Sequence, residues 1–429
     1  MRVIVLIAVV ALAAATGYAD ETTVVRMVRT YGGTDERMPP VVMISNRSTQ
    51  TTSTIGAEFV TVEFDVQSTT IPNIYARIVH CDAFWNDDDN GFVSDITMRT
   101  SLADWTLAPQ RSRFFSYRGK MRFPNEQVNV RFSGNWKVRI YDMDGDRLLT
   151  ETRFFAVDES ASMRMNFMTD FYEPRYRVST TALTLEALVS ADPSRLLDGM
   201  LHTVVIYRNS RWNEPFTITT KAADVANPPS SSTSVGGVLY GGKVFRISRI
   251  PAENEYRILD LSNTARFPST GQPIRLPLSD LRRNGNFFQR ANDGVMVTSM
   301  ISSSDDEYVP IEFLLDPTPG GPSAEDVFVV GSFNSWKPDR SWQMSWSDEL
   351  RLYRLRQWVR RGSHDYLYGT GRVNADSGDI VNLSFEEFEG NTASAGHGFL
   401  ALAYYRVLDY GGYDGIVAVT TSNIYTGYR

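Results

Sequence analysis

"IYARIVHCDAFW", residues 74–85, sets His80, Cys81 and Asp82 side by side. The stretch is either a chemical centre or a piece of strand, and that choice decides both fold class and function. Successive side chains of a strand point to opposite faces. Over residues 75–82 this sends Tyr75, Arg77, Val79 and Cys81 one way and Ala76, Ile78, His80 and Asp82 the other. His80 and Cys81 therefore diverge, and no local Cys–His dyad can form. His80 and Asp82 share a face and can hydrogen-bond, which is ordinary for neighbours on one strand. The stretch reads as a strand with a buried thiol and a satisfied imidazole. The remaining histidines, at 202, 364 and 397, lie in no recognisable motif, so a reacting centre would have to be gathered from scattered groups.

Working outward, the same short alternation recurs. "EFVTVEFDV" (58–66), "VNVRFSGNWKVRIYD" (128–142), "LHTVVIYRN" (201–209), "KVFRISRI" (243–250) and "VMVTSMI" (295–301) are broken by Gly, Pro, Asn and Asp. Strands at this spacing predict an all-β protein of antiparallel sandwiches rather than βαβ units. Helical periodicity is confined to "DPSRLLDGML" (192–201) and "LSDLRRNG" (278–285). "DMDGDR" (142–147) predicts a hairpin, with Asp144-Gly145 supplying the positive φ angles. "NDDDNG" (86–91) mimics a calcium loop by placing Asn86, Asp88 and Asn90 at ligand positions. Thr97 stands where a bidentate Glu is needed, so an acidic turn is the better reading. No G-x-S-x-G elbow, H-E-x-x-H pair or P-loop occurs, and no metal or cofactor is expected.

Arg2, an apolar run from Val3 to Ala15 and the small residues of Gly17-Tyr18-Ala19 form an expected secretory leader over residues 1–19. Asp20, rather than a cysteine, follows the expected cut, which argues against a lipoprotein. No later run approaches the roughly 18 apolar residues of a membrane-spanning helix, so direct membrane insertion is not expected. A net charge of −7 makes nucleic acid a poor partner. One cysteine, Cys81, cannot close an internal disulfide, so stability must come from burial. Strands completed by "TETRFFAVDES" (150–160) and the Pro/Gly-rich "LDPTPGGPSAEDV" (315–327) predict three consecutive immunoglobulin-like sandwiches, over 20–158, 159–317 and 318–429. "NPPSSSTSVGG" (227–237) reads as a surface loop of the middle one.

In the last segment, "DVFVVGSFNSWKPD" (326–339) precedes "LRLYRLRQWVRRGSHDYLYGTG" (350–371). This order resembles early-set sandwiches, in particular glycogen-binding modules, whose turn tryptophan can stack on a sugar ring. Trp336 holds that position, with Trp342 and Trp346 nearby. Core packing of the turn is the leading reading, and partner contact and carbohydrate stacking are its alternatives. By residue type, Trp336, Trp342, Arg360 and Arg361 are the candidate partner-binding side chains.

Taken in order, the landmarks of all three segments resemble the plug protein family of the type IX secretion system. The first carries "RIVHCDAFW" (77–85), "FPNEQVNVRFSGNWKVRIYD" (123–142) and "RFFAVDE" (153–159). The second carries "VIYRNSRWNEPF" (205–216), "NEYRILDLS" (254–262) and "DEYVPIEFLLD" (306–316). The third carries the FNSW turn, "RRGSHDYLYG" (360–369) and "ALAYYRVLDYGGYDGIVAV" (401–419). Phe84 stands where the family usually has an acid, and Trp136 replaces a more usual tyrosine. The resemblance implies a non-catalytic periplasmic protein, attached to the outer membrane through its partner and needing no small-molecule ligand. It would bind the periplasmic opening of the giant translocon barrel and close it when no cargo is engaged. The competing expectation is a periplasmic glycan-binding protein.

Overall fold

A computed structural model describes residues 23–44, 55–170, 181–192, 196, 198–237, 242–281, 293–393 and 395–424. The expected leader lies outside them, as do residues 282–285 of the second helical candidate. Nearly all regular structure is β, as the alternation requires, and the strands form five sheets.

The strand Val60–Gln67 shows how the first sandwich is made. Val60, Val62, Phe64 and Val66 project into a core shared with Met121 and Phe123 on its own sheet. Ile74, Ala76, Ile78, Trp136, Val138 and Phe154 face them from the opposing layer. The near sheet runs Val24–Gly32, Val60–Gln67, Tyr117–Phe123, Asp104–Leu107. The far layer, with Ile74–Cys81, Gly134–Asp142 and Arg147–Val157, is part of a nine-stranded sheet. That sheet continues into the middle sandwich through Tyr413–Ile424, His397–Val407, Leu201–Arg208 and Phe216–Thr219. A short parallel pairing, Ile416 with Val157, joins the two halves. Opposite the second half lies a sheet of Ala161–Asp170, Ala182–Ala191, Lys243–Pro251 and Ser232–Gly237. The core between them holds Leu185, Val189, Val204, Ile206, Ile247, Phe399, Ala401 and Ala403.

The third sandwich departs from the expected segmentation. Its sheets contain Arg257–Asp260, Ile274–Arg275 and Tyr308–Leu315, all placed in the middle segment by the sequence reading. They pair with strands from 326–384, whereas the last hairpin, 397–424, leaves to complete the middle sandwich and the long sheet. The third sandwich is thus nested within the middle one instead of following it. Alternation reports which face of a strand is apolar but not its pairing partner, and the Pro/Gly-rich 315–327 stretch joins two strands of one sandwich.

Smaller differences follow from local geometry. Residues 232–237, within the expected loop, form an exposed edge strand beside Lys243–Pro251. In the 142–147 hairpin the positive φ falls on Asp146, at 52°, and not on Asp144-Gly145. The 192–201 stretch yields only a 3-10 turn at Asp198–Met200 among its described residues. No helix among the described residues is long and apolar enough to cross a membrane.

Candidate interaction site

At the opening stretch the two side chains diverge as the alternation requires. Cys81 lies in an apolar cluster with Val41, Phe155, Tyr207 and Tyr404. Burial pushes its thiol up to about 12, so at neutral pH it is protonated and a poor nucleophile. His80 turns to the other side, its Nε2 3.1 Å from the Ser133 carbonyl and its Nδ1 3.3 Å from Asp88. Its carboxylate partner is therefore Asp88 in place of Asp82, which caps its own turn by accepting from the backbone of Phe84 and Asn86. The 86–91 loop is likewise occupied with protein partners. Asp87 receives Lys137 at 2.8 Å and Arg139 at 2.7 Å, and Asn90 donates to the carbonyls of Tyr410 and Gly412. No group of three metal-ligating side chains occurs among the described residues.

The four candidate contact residues are all buried: Trp336 is 2% exposed, Trp342 8%, Arg360 2% and Arg361 0%. They offer no surface to a partner, which corrects the assignment made from residue type. Trp336 shows why. The G-S-F-N turn folds back on itself, Asn334 accepting from Gly331 N–H and donating to the Val329 carbonyl. Ser335 and Trp336 then take positive φ, and the indole swings inward. Its Nε1 donates to the Gly294 carbonyl at 2.7 Å, and the ring meets Tyr256 at 4.5 Å and the Arg211 guanidinium at 5.4 Å. Trp342 stacks on Phe333 in the third core, rings 4.7 Å apart. Trp346 is half-buried and donates to Asp348. The sugar-stacking alternative thereby loses the exposed indole face that motivated it.

Arg360 has a different task. The polar face of Val60–Gln67, which alternation would turn to solvent, is covered by the third sandwich. Glu63 and Asp65 lie there beside Arg29 and Arg118, and Arg360 enters from the other side to pair with both Glu63 and Asp306. Tyr308 donates to Asp65 at 2.8 Å, and Arg118 also reaches Asp306. Glu36 accepts from the backbone of Thr298 and Ser299, and Arg111 pairs with Asp305 and Glu307. Phe114 closes the margin, stacked on Trp358 at 5.6 Å and tilted against Tyr308 at 4.7 Å.

Burial works against ionisation of Glu63, but Arg29, Arg360 and Arg118 outweigh it and hold the carboxyl well below the usual range. Asp306 and Glu36 are lowered in the same way, burial again being overcome by Arg360 for the one and Arg29 for the other. Arg361 anchors the adjoining loop by donating to the Phe267 carbonyl at 2.6 Å and to Ser269 at 2.7 Å. Acids on the polar face of "VTVEFDV", with arginines at 118 and 360, were the signal in the sequence for this junction; nothing local said that they meet.

Where the three sandwiches converge, a cleft of about 420 Å³ is lined by Arg29, Arg37, Glu151, Trp212, Met296 and Lys337, among others. On its wall the Ser332 hydroxyl lies 3.3 Å from Nδ1 of the fully buried His364, whose Nε2 is 2.7 Å from the Arg360 carbonyl. On the outside, the turn at 90–96 and the turn at 408–412 stand together, tied by the Asn90 hydrogen bonds and carrying exposed Phe92, Leu408 and Tyr410.

Residues 25–158 match the family model described as the type 9 secretion system plug protein 1st domain. The resemblance carried by the sequence landmarks therefore holds over the first sandwich. No curated protein matches the chain. Among solved structures, a hypothetical protein from Parabacteroides merdae superposes with a TM-score of 0.71 at 15% identity, covering 94% of this chain and 99% of that one. At that identity the likeness shows the fold alone. A marsupial T cell receptor covers 54% of this chain and 86% of its own at 10% identity, and its TM-score of 0.17 carries no argument.

Proposed function

We propose that this protein is a non-catalytic plug of the type IX secretion system, binding the periplasmic opening of the translocon barrel and obstructing it while no cargo is engaged. The observation that carries the reading is the match of residues 25–158 to the plug family's first domain. The architecture suits the role. A pore that passes folded proteins leaks solutes unless its inner end is blocked, and a blocking body must keep its shape without a ligand. Here one sheet runs through two sandwiches, and the third is tied to the first by Arg360–Glu63 and to the middle one by Asn213 on the Ser335 carbonyl and Arg211 over Trp336. The buried thiol of Cys81 and the fully engaged His80 fit a protein that acts by shape.

The test is recovery of the partner. Tagged protein drawn from detergent-solubilised envelope is expected to bring down an outer-membrane β-barrel of translocon size, identified by mass spectrometry. Failure to recover it in any secretion state overturns the reading.

A further inference from the structure

The turns at 90–96 and 408–412 come from positions more than 300 residues apart in the chain, yet they form one surface. Asn90 Nδ2 donates to the Tyr410 carbonyl at 2.7 Å and to the Gly412 carbonyl at 3.2 Å. Its own Oδ1 accepts from Phe92 N–H. Gly411 and Gly412 have φ of 83° and 87°, and a side chain at 411 would crowd Asn90. Both turns are thus set by backbone geometry before any partner arrives. On them stand Phe92 at 75% exposure, Leu408 at 62% and Tyr410 at 60%, with Ile96 at 70% on the same loop.

Single exposed apolar side chains need no explanation, but a group of large ones on two mutually braced turns marks an interaction surface. Aromatic anchors held rigidly are what binding sites concentrate at their centres, because little conformational entropy is lost when they dock. Phe132 supports the group from beneath, its ring 5.1 Å from Tyr410.

The rim of this surface is acidic. Asp89, Asp95 and Asp409 are exposed around the apolar group, and among the described residues none of them lies within ion-pair distance of a cation. Neighbouring carboxylates are treated otherwise: Asp87 is neutralised by Lys137 and Arg139, and Asp414 by Lys221 and Arg406. An apolar centre ringed by exposed carboxylates outside close ion pairs complements a protein segment that carries a large apolar side chain flanked by Lys or Arg. Rim charges of this kind steer encounter and fix register, while the centre supplies affinity.

We infer that the Phe92–Leu408–Tyr410 surface is the docking face for the translocon barrel, and that it receives a basic-flanked apolar segment of the barrel's periplasmic side. The inference rests on the plug reading and adds to it a location and a chemistry.

Placing benzoylphenylalanine at Phe92, and separately at Ile71, in the full-length protein tests it. Ile71 is also exposed, at 61%, but precedes the strand Ile74–Cys81 whose far end leads to the turn. Those ends lie roughly 26 Å apart for eight extended residues. Irradiation is expected to join position 92, and not position 71, to a barrel peptide with Lys or Arg within a few residues of the cross-link. A Phe92→Asp/Leu408→Asp variant should recover at least tenfold less barrel than wild type, with an unchanged circular dichroism melting profile. If wild type and variant recover the barrel equally, or if both positions cross-link alike, the docking face is wrong and the plug reading stands. A cross-linked peptide without basic residues removes the assigned chemistry. If wild type recovers no barrel, both proposals fall.

Discussion

The first sandwich is joined to its two neighbours by opposite kinds of chemistry. Towards the middle sandwich the junction is backbone and apolar. Ile416 pairs with Val157, Asp158 N–H donates to the Ile416 carbonyl at 3.0 Å, and Val41, Phe155, Tyr207, Leu402 and Tyr404 pack over the join. Towards the third sandwich it is a buried network of Arg29, Arg118 and Arg360 with Glu63, Asp65 and Asp306. An apolar join gains from burial at any pH in the physiological range. An ionic one must offset the desolvation of every charge, adds little net stability and fails badly when one partner is removed. The difference teaches that the first and middle sandwiches share backbone and an apolar core at their join, while the third meets the first through contacts that depend on paired charge.

Breaking the ionic side should therefore have the largest effect. Arg360→Met removes the cation shared by Glu63 and Asp306, leaving the first to Arg29 and Lys120 and the second to Arg118. Urea unfolding of the full chain at pH 7 is expected to show a loss of about 3–5 kcal/mol. Adding Glu63→Gln should return part of that loss. A loss below about 1 kcal/mol would show that water reaches the network.

Acid sharpens the comparison. Glu36, Glu63 and Asp306 titrate lower in the folded chain than in the unfolded one. Their contribution is complete above the unfolded carboxylate range, at roughly pH 4, and is lost as pH falls through the lower folded values, where the unfolded chain binds more protons. The apolar junction carries one comparable carboxylate, Asp414, held low against burial by His202 and Lys221. Acidification should therefore expose Trp358, stacked on Phe114, before amide protection is lost along 397–424. Tryptophan quenching and hydrogen exchange read the two separately; simultaneous loss would contradict the distinction.

On the apolar side, Ile416→Val removes one buried methylene and is expected to cost about 0.5–1.5 kcal/mol, by the same amount at pH 7 and pH 5. The smallest effect concerns Cys81. Its thiol should resist a disulfide reagent at pH 7 in the native protein and react fully once unfolded. Rapid labelling of native protein would mean that the cluster around it opens.

What was legible in the sequence divides along the same line. Alternation through residues 75–82 and 60–66 shows which side chains face a core, and those assignments match the packing of Ile78, Cys81, Phe64 and Val66. The same alternation assigns Glu63 and Asp65 to solvent, because periodicity cannot tell water from a second charged surface. Nor could it assign the 397–424 hairpin to the middle sandwich. Its strands look like any others, and only the pairing of Val204 with Ala403 and of Val205 with Leu402 reveals where they belong. Trp336, Trp342, Arg360 and Arg361 are of types that bind partners when exposed. All four are instead the side chains that this chain uses to hold itself together, whereas Phe92 and Tyr410 carried no motif.

The measurement closest to the central claim is permeability of the outer membrane to a small dye, compared between cells with and without this protein in two backgrounds, translocon present and translocon deleted. Loss of the protein is predicted to raise uptake only where the translocon remains. Unchanged uptake in that background, or an equal rise in both, would contradict a protein that works by obstructing that pore.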